Sequence, residues 1–128
     1  MKNEIIWSAG FFDGEGCVTL KRYIRKNATY SLEVSIGQKY KEPLEVFVDL
    51  YGGKVLKQGN NAYQWHVYSN TAYEALKLLV PHLRIKKQQA EEAIRWFELT
   101  QTMSLEDKLV LSEQVYTKLQ NLKRNICQ

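Results

Sequence analysis

The sequence predicts an α+β domain in which a four-stranded antiparallel sheet is covered by helices, in the order αββαββα with further helices after it. Three observations carry this. Two neighbouring stretches, 17–25 and 30–37, alternate apolar and polar residues with a period of two. A second pair, 54–58 and 62–69, flanks Gly59-Asn60-Asn61, a turn composition that tolerates positive φ. Stretches of helical period precede, separate and follow these pairs. At 128 residues the chain makes one domain, 1–128, with its core over about 3–100 and a last helix over about 104–124.

In chain order, Asn3 can cap a first helix, and from Ile5 to Phe12 the segment is apolar almost all round, broken only by Ser8. A surface helix would show a polar face, so this one is expected to be buried on more than one side. The first strand points Val18, Leu20 and Ile24 one way and Thr19, Lys21, Tyr23 and Arg25 the other, with Arg22 out of pattern; Lys26-Asn27-Ala28 reads as a loop. The second strand turns Leu32, Val34 and Ile36 inward and Ser31, Glu33 and Ser35 outward. Pro43 suits the first turn of a helix over 44–51, whose Leu44, Phe47, Val48 and Tyr51 have core spacing and which Gly52-Gly53 ends. In the fourth strand Tyr63, Trp65 and Val67 share one face and Gln64, His66 and Tyr68 the other. Thr71 and Glu74 form a capping box opening a helix to Leu79, Pro81 interrupts it, and 86–100 is a further amphipathic helix. Ser104 and Asp107 have capping-box form for the last one.

The net charge of +4 is modest, but its distribution is uneven. Between Gly16 and Lys41 the basic residues Lys21, Arg22, Arg25, Lys26, Lys39 and Lys41 face the single acid Glu33, and from Gly52 to Tyr73 there is no acid at all. A polyanionic partner is expected, nucleic acid being the commonest. No apolar run approaches the ~20 residues of a membrane span, so no membrane role is expected. The N-terminus carries no signal-peptide pattern, and Cys17 and Cys127 lack metal or redox spacing. The expected location is therefore intracellular (cytoplasm, nucleoid or an organelle matrix) rather than secreted, with both thiols reduced.

The chemistry concentrates where the first helix ends. Asp13 and Glu15 follow Phe11-Phe12, separated and followed by Gly14 and Gly16. Glycine there supplies a helix stop, while carboxylates meet the negative end of the helix dipole. Acids so placed are expected to serve something other than stability. The run Ala9-Gly10-Phe11-Phe12-Asp13-Gly14-Glu15-Gly16 resembles the LAGLIDADG motif of homing endonucleases, departing only at Ser8, where leucine is usual. Gln38-Lys39 resembles the Q-K pair of single-motif members, and Pro81-His82-Leu83-Arg84-Ile85-Lys86-Lys87-Gln88-Gln89-Ala90 resembles the segment that carries their lysine, which falls on Lys86.

The resemblance covers roughly 3–100 and implies a site-specific double-strand DNA endonuclease acting by metal-dependent phosphodiester hydrolysis. It implies Glu15, with Gly14 beside it, at a divalent cation (Mg²⁺ or another such as Mn²⁺), and Gln38 and Lys86 as further catalytic residues, Gln38 orienting the nucleophilic water. One motif per chain implies a homodimer through paired first helices, with Ile6, Ala9, Gly10, Asp13 and Gly14 at the interface, on a palindromic or nearly palindromic target. The outward sheet face would read double-stranded DNA through Thr19, Lys21, Tyr23, Arg25, Ser31, Glu33, Ser35, Lys54, Leu56, Gln58, Gln64, His66 and Tyr68, with Lys39 and Lys87 as further contacts. An RNA-binding intron maturase and a non-cleaving DNA-binding regulator of the same fold are the alternatives. A regulator has no use for a metal site, whereas maturase and nuclease activities are compatible in one protein.

Overall fold

The computed structural model describes residues 2–24 and 28–126. In chain order it comprises α1 (Lys2–Glu15), β1 (Gly16–Ile24), β2 (Ala28–Gln38), α2 (Glu42–Tyr51), β3 (Lys54–Gln58), β4 (Ala62–Tyr68), α3 (Ser69–Leu79), a 3₁₀ turn (Val80–His82), α4 (Lys87–Thr100) and α5 (Leu105–Ile126). The strands form one antiparallel sheet in the order β1-β2-β4-β3. The expected α+β architecture and strand pairs are present.

Register decides the faces. Val18 pairs with Val34 and Leu20 with Leu32, while Val34 and Ile36 pair with Val67 and Trp65. These residues are buried with Ala9 and Phe12 of α1, Leu44 and Phe47 of α2, Leu76 and Leu79 of α3 and Ala90 and Trp96 of α4. The helices therefore cover one sheet face and leave the other open. Phe47 centres an aromatic cluster, with ring centroids 5.0 Å from Trp65, 5.7 Å from Tyr51 and 5.9 Å from Phe11. Ser8, the odd residue of the apolar helix, is buried: its hydroxyl lies 2.7 Å from the Ile5 carbonyl oxygen and 2.6 Å from the Tyr51 hydroxyl. Buried polar groups need partners, and α2 supplies one here.

Several expectations change. α1 runs on through Asp13 and Gly14 to Glu15, and neither Gly14 nor Gly16 takes a positive φ. Gly16 is needed for space, because a Cβ there would lie 2.2 Å from Phe12 Cδ1. The left-handed stops occur instead at Gly52 and Gly53, with φ of 84° and 85°, and Gly59 takes φ of 66° in the hairpin turn. Within the single chain α1 keeps an open side, with Ile6 45% and Trp7 46% exposed. The Thr71 capping box does not form, since α3 begins at Ser69 without a side-chain cap. The Ser104 box forms in part, its hydroxyl oxygen accepting the Asp107 N–H at 3.3 Å. Arg22 fits the alternation after all. It pairs with Tyr30 on the helix-covered face, where its guanidinium meets Glu113 at 2.6 Å and the Tyr116 ring at 4.5 Å.

α5 closes the β1 side. Val115 and Leu119 are buried, Trp96 Nε1 donates to Ser112 Oγ at 2.7 Å, and Lys118 meets Glu92 at 2.7 Å. The Tyr30 hydroxyl donates to Glu113, and this bond together with Arg22 holds the Glu113 carboxyl below its ordinary range. No helix among the described residues is long and apolar enough to cross a membrane.

Candidate functional site

The end of α1 meets the start of α4. Asp13 accepts the backbone N–H groups of Arg84 at 2.8 Å, Ile85 at 3.1 Å and Lys86 at 3.0 Å, so its carboxylate anchors the turn leading into α4. Lys86, the residue before α4, extends its Nζ to the Asp13 carbonyl oxygen at 2.6 Å. One α1 residue thereby fixes both the backbone and the ammonium of Lys86. Beside it opens a cleft of about 240 Å³ lined by Gly14, Glu15, Gly16, Cys17, Lys86, Gln89 and Lys123. Glu15 is exposed, and among the described residues its carboxylate has neither a hydrogen bond nor an ion pair. Lys123 reaches the cleft from α5 and donates to Thr19 Oγ1 at 3.0 Å. An unpaired acid thus stands beside two ammonium groups that are engaged elsewhere.

The open sheet face begins beside this cleft. Its cross-strand rows are Cys17, Ser35, His66 and Lys54; Thr19, Glu33 and Tyr68; Lys21 and Ser31; Tyr23 and Thr29; Gly37, Gln64 and Leu56; and Ala62 with Gln58. All the expected readers that the structure describes on these strands share this face; Arg25 lies outside the described residues. Exposure along the rim differs from the centre. Lys21, Tyr23, Lys54, Leu56, Gln58 and Tyr68 are exposed, whereas Glu33 (6%) and Ser35 (8%) are buried on the central strand β2. Glu33 is covered by the side chains it holds: Lys21 Nζ lies 3.1 Å from Oε2 and His66 Nδ1 3.5 Å from Oε1. The Lys21 contact is an ion pair without hydrogen-bond alignment, so Oε2 has no hydrogen-bond donor. Glu33 nonetheless raises the Lys21 pKa, keeping that ammonium charged. Gln58 donates to Gln64, and the Tyr68 hydroxyl lies 3.2 Å from His66 Nδ1. Lys39, past the end of β2, and Lys87, in the first turn of α4, are exposed.

A profile of LAGLIDADG endonucleases matches residues 8–103. The chain belongs to the LAGLIDADG endonuclease family. No curated protein matches it in sequence. Its fold is similar to that of the homing endonuclease I-CvuI in complex with its target, with TM-score 0.85, 19% identity, 94% of this chain and 82% of that one covered. It is likewise similar to the archaeal intron-encoded homing endonuclease I-Vdi141I complexed with DNA, with TM-score 0.82, 18% identity and coverage of 94% and 84%. The LAGLIDADG homing endonuclease I-SmaMI bound to cleaved DNA matches over 93% of this chain but only 42% of its own, with TM-score 0.70 and 15% identity.

Within this LAGLIDADG fold the site residues expected from the motif fall into three groups. Glu15, Gly14 and Lys86 meet at one cleft. Gln38 does not line it; its Oε1 accepts the N–H of Lys39 at 2.8 Å, which holds the amide against its own strand end. Of the residues expected to pair helices, Ile6, Gly10 and Gly14 are exposed, but Ala9 is wholly buried in its own core and Asp13 is taken up by the 84–86 turn. Ala9 is therefore corrected to a core residue, replaced on the exposed stripe by Trp7.

Three cleft residues were not singled out from sequence. For Gln89 a signal existed: Gln89, Ala93, Trp96 and Thr100 are spaced by four, three and four and all are buried, so an amide sits on the apolar stripe of α4. Lys123 and Cys17 carried none, since only the docking of α5 brings position 123 to this cleft. For a divalent cation, the Glu15 carboxylate and the last-turn carbonyls of α1 are hard oxygen donors at the negative end of a helix, which suits Mg²⁺ or Mn²⁺. Among the described residues no three His, Cys, Asp or Glu side chains converge. The donor set thus fits a cation that takes one acid from this chain and fills its shell from elsewhere.

Proposed function

We propose that the chain is a site-specific double-strand DNA endonuclease that works as a homodimer by metal-dependent phosphodiester hydrolysis. The observation that carries this is the unpaired Glu15 carboxylate at the end of a helix that leaves Ile6, Gly10 and Gly14 exposed, together with about half of Trp7, whose ring also stacks on Phe11. A Cβ at Gly10 or Gly14 would meet nothing within 4 Å, so these glycines leave room for a second backbone from outside. Pairing two such helices about a two-fold axis sets two Glu15 carboxylates near that axis, each beside its own Lys86. I-SmaMI, of which this fold occupies only 42%, leaves room for two such units in one chain. A two-fold dimer reads a palindromic or nearly palindromic site.

Each residue then has a physical task. The sheet face lies along the duplex, with Lys21, Lys54 and the residues of β3 and β4 positioned for base edges and phosphates. Glu15 holds the cation, and Lys86 places positive charge where a scissile phosphate would gather negative charge. A divalent cation bound there supplies charge that polarises the phosphate and makes water more acidic. The deciding experiment uses Glu15→Gln on a cleavage site selected from a random-sequence duplex pool. Cleavage in Mg²⁺ should be abolished while binding in Ca²⁺ holds or tightens, because two carboxylates no longer face the phosphates. Cleavage at near the parental rate would overturn the assignment.

A further inference from the structure

The side chain of Gln89 is unexplained by the fold and by the reading above. It is 2% exposed, it lines the Glu15 cleft, and its Oε1 is shielded from solvent with no hydrogen-bond partner among the described residues. An amide oxygen left in that condition is costly, and an apolar side chain of equal length would fill the same place on α4 without the penalty. Its burial restricts what can satisfy it. Oε1 is shielded from bulk water, which favours a donor that is itself part of the cleft. Two cationic donors line it, Lys86 and Lys123. Lys123 comes from α5 and is engaged with Thr19. Lys86 is the N-cap residue of α4, three residues before Gln89, and lines the same cleft. Its ammonium has three protons, and the described structure engages it only with the Asp13 carbonyl oxygen, at 2.6 Å.

We propose that Gln89 is a positioning residue for Lys86: its Oε1 takes a hydrogen bond from the Lys86 ammonium when that group turns from the Asp13 carbonyl into the cleft toward DNA phosphate. The ammonium then has the Gln89 amide oxygen as a fixed acceptor on one side and points its remaining protons toward the phosphate. Gln89 itself touches no substrate. It acts on cleavage by narrowing the positions that Lys86 can occupy, and small displacements of a catalytic group cost large factors in rate. The inference rests on the reading of the cleft as the site of hydrolysis.

The test compares Gln89→Met, which keeps length and removes the acceptor, with Lys86→Met and the double variant, using Gln89→Leu as a second replacement. Three quantities are measured on the full chain: single-turnover cleavage of the selected site at saturating protein in Mg²⁺, affinity for that site in Ca²⁺, and the thermal midpoint without metal or DNA. Gln89→Met should cut about 10- to 100-fold more slowly with unchanged affinity. Its midpoint should hold or rise, because an orphaned buried oxygen has gone. The double variant should cut no more slowly than Lys86→Met, since Gln89 acts through that lysine. If both Gln89 variants lower the midpoint, the residue is structural and the proposal is overturned. Additive losses in the double variant overturn it too. If Lys86→Met is impaired but Gln89→Met cuts at the parental rate, this inference alone fails. If Lys86→Met also cuts at the parental rate, the reading of the cleft fails and takes the inference with it.

Discussion

Removing the Asp13 carboxylate should loosen the junction of α1 and α4 more than an exposed acid ordinarily would. The carboxylate accepts three backbone N–H groups, of which those of Arg84 and Ile85 are solvent-accessible and that of Lys86 is partly buried. Hydrogen bonds to a charged acceptor are worth about 1.5–3 kcal/mol each when shielded, and roughly half that where water can replace the partner. Against this, the carboxylate opposes the α1 dipole by about 0.3–1 kcal/mol, which its removal recovers. The net loss for Asp13→Ala comes to roughly 2–5 kcal/mol. Asp13→Asn keeps an oxygen for two of the bonds but sets an amide N–H against a third N–H, so about 1–2 kcal/mol is expected. Urea denaturation without metal measures both, and cleavage should fall in the same order because Lys86 loses its backbone anchor. Asp13→Ala within about 0.5 kcal/mol of the parent would refute this account of the junction.

Three further outcomes follow from other parts of the molecule. Gly10→Leu should add about 1 kcal/mol of helix propensity to the single chain, where a Cβ meets nothing within 4 Å, yet weaken self-association, as sedimentation across a concentration series would show. Gly16→Ala should destabilise by about 1–3 kcal/mol or more in thermal denaturation, because its methyl would enter the Phe12 ring. Glu113, held below its ordinary value of 4.5 by the Tyr30 hydroxyl and Arg22, contributes stability that is fully present above that value and is lost as pH falls through its folded pKa. Glu113→Gln should therefore lose stability at pH 7 and show a shallower acid limb in urea denaturation repeated down the pH scale.

What the sequence determined by itself is the part of the protein governed by local rules. Alternation in 17–25, 30–37 and 62–69 sets which side chains share a sheet face, since the period of a strand is two whatever it packs against. The glycines after Tyr51 end a helix because only they take positive φ easily. The motif at Ala9–Gly16 located the acids by its residues alone. Tertiary structure decided what those residues do to one another. Asp13 looks misplaced at the negative end of α1, and only the fold shows that it stands at the amide-rich entrance to α4. Gly16 looks like a helix stop and proves to be a clearance for Phe12. Glu33 alternates outward, yet the width of the sheet buries it under Lys21 and His66. Gln89 and Lys123 join Glu15 because α4 and α5 dock beside β1. Strand period and helix caps act over a few residues and are written in order along the chain, whereas a partner 73 or 104 residues away is set by packing, which no local pattern encodes.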